Sequence, residues 1–271
     1  VLANEVVNGA EGNDTFTTRL GDDTFNAGAD SDRLVIDWSD ATQNSWTSWG
    51  PHANSGGGWY GTYENADGRS VTYDQVEHVT FLGGSGSDVI YTADGDDVFA
   101  MGAGDDEAYA GTGINTIDGG DGTDRLAINY SGAASRINLD LTRTGAQLLA
   151  GPGSVTGIEW VRDLVGTAYN DIVVTIDADL DDRIYGGGGS DTVTLRNGQD
   201  HFDGQGGASD RLIVDWSGST ANSWTSWGPF GNSEGGYYGT YLNADGREAG
   251  FSQVEHFTFL GGSGNDAITT Y

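Results

Sequence analysis

Gly83-Gly84-Ser85-Gly86-Ser87-Asp88-Val89-Ile90-Tyr91 reads as one unit of a nine-residue pattern, G-G-x-G-x-D-x-U-x, with U a large apolar residue. Glycine at positions 1, 2 and 4 admits the left-handed backbone angles of a tight turn. Aspartate at position 6 fixes a carboxylate on that turn. The apolar residue at position 8 reads as the inward residue of a short strand. Residues 119–127, 186–194 and 261–269 match in full, and degenerate copies keep phase at 9–17, 18–26, 27–35, 92–100, 101–109, 110–118 and 195–203. Position 8 is Phe16, Phe25, Leu34, Ile90, Phe99, Ile117, Leu126 or Val193. A glycine-rich linker with incidental aspartates would not hold this period. Two nonapeptides per coil predict a parallel solenoid, with turn carbonyls and carboxylates of successive coils facing one another.

Composition says what those carboxylates meet. The chain has 271 residues, 46 of them Gly, with 41 Asp and Glu against 11 Lys and Arg, giving a net charge of -30. The acids recur singly or in pairs after glycine and form no runs, and 8 Trp speak against disorder. Fixed carboxylates at such charge call for cations. Oxygen donors, no Cys and 4 His point to calcium rather than zinc or copper. Scarce Lys and Arg argue against nucleic acid and anionic membranes, and no apolar run approaches the ~18 residues of a membrane span. No Cys means no disulfide staples. No leader is visible, and the chain begins at Val1 and stops in mid-pattern at Thr270-Tyr271, which reads as a piece of a longer protein.

The turns nominate calcium ligands, with glycines supplying carbonyls. They are Gly9, Gly12 and Asp14, then Gly21 with Asp23, and Asp32. Next come Gly83, Gly86 and Asp88, Gly95 with Asp97, Gly104 with Asp106, and Gly119, Gly122 and Asp124. Asp171, Asp182 and Asp200 follow, with Gly186, Gly189 and Asp191, and finally Gly261, Gly264 and Asp266. Departures weaken some sites. Asn115 replaces Asp, Ala108 takes a position 8, 177–185 lacks the glycines, and 208–210 carries one residue too many.

The sequence resembles the RTX (repeats-in-toxin) family, the nonapeptide proteins of type I secretion, over about half of the chain. The resemblance implies an all-β, right-handed parallel β-roll or β-helix solenoid that binds several calcium ions. It implies a secreted, extracellular protein that stays unfolded where calcium is scarce, and a scaffold or secretion-associated role.

Three strand-rich insertions interrupt the repeats. The layout expected is one solenoid over 1–271: repeats at 1–35, a Trp-rich insertion at 36–82, repeats at 83–127, a middle insertion at 128–165, repeat-like coils at 166–213, a second Trp-rich insertion at 214–260 and a last repeat at 261–271. Residues 32–92 align without gaps on 210–270 at about 42 of 61 identical positions, and 44–51 equals 222–229 throughout. Asn65-Ala66-Asp67-Gly68 and its copy Asn243-Ala244-Asp245-Gly246 predict hairpin turns. The middle insertion alternates like a strand at 136–141.

Trp46, Trp49 and Trp59, with Trp224, Trp227 and Tyr237, admit two readings. They form an aromatic platform for glycans or cell-surface polysaccharide, as in an adhesin, or they fill widened coils. Trp38 and Trp216 read as core. No catalytic site is expected. H-E-x-x-H and G-x-S-x-G are absent, and the repeated Glu77-His78 and Glu255-His256 pairs would point to opposite faces of a strand. The chain then stands as the non-catalytic part of a secreted hydrolase, lyase or epimerase, if its host is an enzyme.

Overall fold

The computed structural model describes residues 4–149, 153–233 and 235–270. Both ends of the span 1–271, and 150–152 within the expected middle insertion, lie outside them. All regular structure among the described residues is β-strand, and the sheets are mainly parallel. The contacts group the chain into two units, 1–128 with 153–158, and 129–152 with 159–271.

In the first unit the nonapeptide period becomes two parallel sheets. One contains Val6–Glu11, Asp22–Ala29, Val89–Tyr91, Glu107–Ala110 and Arg125–Asn129, and the other Thr15–Thr18, Arg33–Asp37, His78–Leu82, Val98–Ala100 and Thr116–Asp118. Equivalent residues stack two nonapeptides apart: Phe16 opposite Leu34, Phe99 opposite Ile117, Ala108 opposite Leu126. Position 8 forms the core, as the pattern predicts. Phe25, Leu34, Ile90, Phe99, Ile117 and Leu126 are all buried, each burial favouring the fold by about 1.5–3 kcal/mol. Ala108 is buried too, so the smaller residue keeps the inward position and lowers only the volume.

The first Trp-rich insertion enters a sheet instead of standing apart from it. Ser45–Ala53, Trp59–Asn65 and Arg69–Val76 run antiparallel to one another. Arg69–Val76 pairs in parallel with Asp22–Ala29, and Ser45–Ala53 meets Val89–Tyr91 at Trp46. Three strands therefore stand where a regular coil would place one. In the opposite sheet Arg33–Asp37 pairs directly with His78–Leu82. Trp38 fills this coil, fully buried and edge-on to Phe81 at 6.2 Å. The predicted turn closes with Gly68 N–H donating to the Asn65 carbonyl.

The second unit repeats the arrangement. Ile172–Val174, Thr192–Leu195, Arg211–Asp215 and His256–Leu260 stack in parallel, as do Arg183–Tyr185, Gln199–Asp203 and Glu248–Val254. Tyr237–Asn243 and Ser223–Gly231 complete the second hairpin sheet, and Trp216 is buried edge-on to Phe259 at 5.6 Å. The middle insertion divides between the units. Asn138–Asp140 pairs with Ile172–Val174, whereas Ser154–Thr156 pairs with Thr116–Asp118.

Candidate metal-binding turns

The turn carboxylates form ladders along the stacked coils. Asp106 Oδ1 accepts the backbone N–H of Asp88 at 2.7 Å, and Asp124 Oδ1 accepts that of Asp106 at 2.9 Å. Asp88 in turn accepts from Ser45 N–H at 2.6 Å. On the other side of the coil Asp14 N–H donates to Asp32, and Val79 N–H to Asp97. In the second unit Asp171 donates to Asp191 and Asp182 to Asp200, and Ser223 donates to Asp266. Each of these accepting carboxylates at position 6 thus binds backward to the preceding coil. Position 5 binds forward: Thr123 N–H donates to Asp105, Ile114 N–H to Asp96 and Gln199 N–H to Asp181. The Asp-Asp pairs are accounted for by these opposed bonds.

The second oxygen of position 6 is the chemically telling one. Oδ2 of Asp14, Asp32, Asp88, Asp106 and Asp191 is buried without a hydrogen-bond partner. Asp32 and Asp88 are fully buried, Asp106 and Asp191 nearly so. A buried carboxylate oxygen with no partner is costly unless a cation faces it. Burial pushes the carboxyl of Asp88 up to about 6, Asp106 to about 7 and Asp191 to about 8, with neighbouring carboxylates adding to the last two. Asp200, also buried and beside Asp182, rises to about 9.

The glycines show where a cation fits. A Cβ on Gly9 would lie 2.1 Å from the Ala27 carbonyl oxygen and 2.3 Å from Asp14 Oδ2. On Gly83 it would meet the Met101 carbonyl oxygen at 2.1 Å and Asp88 Oδ2 at 2.6 Å. On Gly186 it would meet Asp191 Oδ2 at 2.4 Å and the Gly204 carbonyl oxygen at 2.9 Å. Oxygens from two coils thus converge on space that any side chain would fill. Hard oxygen donors suit calcium. Among the described residues no three acidic or His side chains gather into a metal-holding group, so carbonyls must supply most of the donors.

Some expected ligands are already engaged. Thr18 Oγ1 donates to Asp23 Oδ2. Asp171 Oδ2 accepts from Thr167 N–H at 2.7 Å, and its Oδ1 from the Thr167 hydroxyl at 2.9 Å. Asn115 keeps its ladder bond from Asp97 N–H, but its amide donates to the Gly111 carbonyl at 3.1 Å. A neutral N–H takes that carbonyl where an aspartate would leave it open.

Three further ladder members are not among the ligands that the sequence nominates. Glu77 Oε2 accepts from Asp32 N–H at 2.8 Å, and Glu255 Oε2 accepts from Asp210 N–H at 2.7 Å. Asp210 itself accepts from Asp191 N–H at 2.8 Å across the irregular spacing. The repeated Val-Glu-His closure of both insertions was the available signal. His78 takes the position-5 role, accepting from Asp96 N–H at 2.9 Å.

Against protein-family models, the RTX calcium-binding nonapeptide repeat matches at 2–34, 80–108, 102–127 and 178–209. The chain carries four copies of the RTX calcium-binding repeat. No curated protein matches it. The RTX matches contain Asp14, Asp32, Asp88, Asp106 and Asp191, five of the carboxylates with an unpartnered buried oxygen. They leave out both hairpin sheets of the insertions.

The six candidate aromatic residues are held in different ways. Trp49 and Trp227 are 52% and 54% exposed. Trp49 gathers with His52 and Tyr60 at 5.0 and 5.1 Å, and Trp227 with Phe230 and Tyr238 at 5.4 and 5.2 Å. Trp46 is half-buried and lines a separate cleft with Glu64 and Arg69, and Trp224 is exposed. Trp59 donates its indole N–H to the Asp94 carbonyl at 3.0 Å. Tyr237 packs on Phe257 at 6.3 Å.

Proposed function

We propose that this chain is a calcium-dependent folding module of an exported protein, a right-handed parallel β-roll that orders outside the cell and serves as a scaffold. The carrying observation is the set of buried Oδ2 atoms of Asp14, Asp32, Asp88, Asp106 and Asp191, which have no protein donor; those of Asp14, Asp88 and Asp191 lie beside a carbonyl of the adjoining coil. Calcium would supply the positive charge those oxygens lack. The chain's own residues do the rest: glycines leave the space, Oδ1 bonds fix each carboxylate, and position 8 buries the strand. Type I export and release into high calcium are what the RTX repeat suggests for localisation. The reading is non-catalytic, since Glu77, His78 and the Asp-Asp pairs are tied into main-chain ladders.

Far-UV circular dichroism during calcium titration of the chelated protein tests this. A β spectrum is expected to appear with calcium, at affinities of about 10⁻⁴ to 10⁻³ M. Asp88→Ala should weaken the response more than Asp67→Ala, because Asp67 sits in a hairpin turn and forms an ion pair with Arg69 at 3.9 Å. Unchanged spectra on thorough chelation, or equal effects of the two variants, would overturn the proposal.

A further inference from the structure

We propose that the cleft beside Trp49 binds a neutral hexopyranose unit of a glycan, and that the equivalent residues around Trp227 have lost this capacity. The inference goes beyond the calcium ladders and does not depend on them. The cleft has a volume of about 520 Å³, within the ~300–1,000 Å³ of small-ligand sites. Trp49 and Tyr60 line it together with Asn54, Ser55, Thr72 and Asp74. Trp49 leaves half its surface to solvent yet is held by rings on two sides. That is a fixed apolar platform rather than a loose side chain.

The polar groups are also fixed. Asn54 Nδ2 donates to Asp74 Oδ1, and Asn54 Oδ1 accepts the Gly56 N–H at 2.8 Å. The other oxygen of Asp74 would accept ligand hydroxyls. A sugar ring has an apolar C–H face for the indole and equatorial hydroxyls for the carboxylate. An acidic sugar is disfavoured by Asp74 and by the net charge of -30.

The second copy retains the aromatic wall and, of the polar residues, Asn232 and Ser233 in place of Asn54 and Ser55, but not Thr72 or Asp74. Trp227 and Tyr238 replace Trp49 and Tyr60, with Phe230 standing for His52, while Thr72, Tyr73 and Asp74 become Gly250, Phe251 and Ser252. Hydrogen bonding to a ligand distinguishes the two copies.

Calorimetric titration of the full calcium-loaded chain with gluco-, galacto- and manno-tetrasaccharides tests the proposal, with choline chloride as the cationic competitor reading. Saturable binding of at least one tetrasaccharide is expected. Trp49→Ala and the near-isosteric Asp74→Asn should each weaken it roughly tenfold, whereas Trp227→Ala should leave it unchanged. Melting midpoints and calcium-induced dichroism, followed on every variant, should match the parent, which separates failure of this proposal from failure of the calcium reading. No saccharide binding, binding of choline alone, or equal losses for Trp227→Ala and Trp49→Ala would overturn it.

Discussion

A carboxylate at position 6 has two oxygens with different work. Oδ1 closes a main-chain ladder that any coil needs, and Oδ2 is left for a cation or filled by the protein. Thr18 and Thr167 fill it at Asp23 and Asp171, and Asp88, Asp106 and Asp191 leave it open. The pH response of the calcium-free protein follows. The folded carboxyls of Asp88, Asp106, Asp191 and Asp200 titrate at about 6, 7, 8 and 9, above the ~3.9 of an unfolded Asp. Between those limits the folded chain binds more protons than the unfolded one. Stability of the calcium-free form therefore falls as pH rises from about 4 through 9. Calcium-depleted protein should show more β signal at pH 5 than at pH 8, and calcium should bind more tightly at pH 8. A calcium-free spectrum that is most ordered at pH 8 would count against the buried-carboxylate account. The Asp positions were legible from the period alone. Glu77 and Glu255 were not, because they follow long insertions and break the nonapeptide phase.

At the scale of the coil, space is the controlling quantity. A Cβ on Gly120, where φ is +101°, would lie 1.9 Å from the Gly102 carbonyl oxygen, whereas one on Gly145 would meet nothing within 4 Å. Gly120→Ala should therefore lower the calcium-loaded melting midpoint markedly, and Gly145→Ala should leave it nearly unchanged. The same contrast divides the tryptophans. Trp38 is fully buried and Trp49 half exposed. Trp38→Ala should cost about 3–5 kcal/mol by denaturant titration, and Trp49→Ala far less. Equal costs would mean that Trp49 is packed in solution. Sequence reading placed Trp38 and Trp216 in the core and predicted both hairpin turns. It grouped Trp46 and Trp59 with Trp49. The bulged pairing of Ser45–Ala53 with Trp59–Asn65 instead joins Trp49 to His52 and Tyr60.

Charge acts on the whole molecule. At -30, with 11 Lys and Arg, the metal-free chain repels itself. Two contributions can be separated by salt. Sodium chloride at ~1 M shortens the Debye length to about 3 Å and screens exposed carboxylates. It does not replace a cation at a buried oxygen. High sodium chloride with chelator should leave the dichroism largely unordered, and millimolar calcium at low salt should restore it. Each calcium adds two positive charges, so about eight to ten ions would cancel more than half of the net charge. Full recovery in sodium chloride alone would show that screening, and not coordination, drives folding.

The sequence by itself determined the repeat, the inward residues, the turn carboxylates and the hairpin turns. Each follows from a local rule: a nine-residue period, glycine where backbone must turn, and apolar residues where a strand faces its neighbour. Tertiary structure decided which oxygen stays open and which is taken. That depends on Thr18, Thr167 and Asn115, whose contacts close within turns but whose consequence appears only when coils stack. It also decided which aromatic residues meet, since antiparallel pairing and its bulges set the faces of the inserted strands. Identical motifs at 44–51 and 222–229 therefore stand among different neighbours, because Asp74, which lines the cleft beside Trp49, has become Ser252 in the second copy.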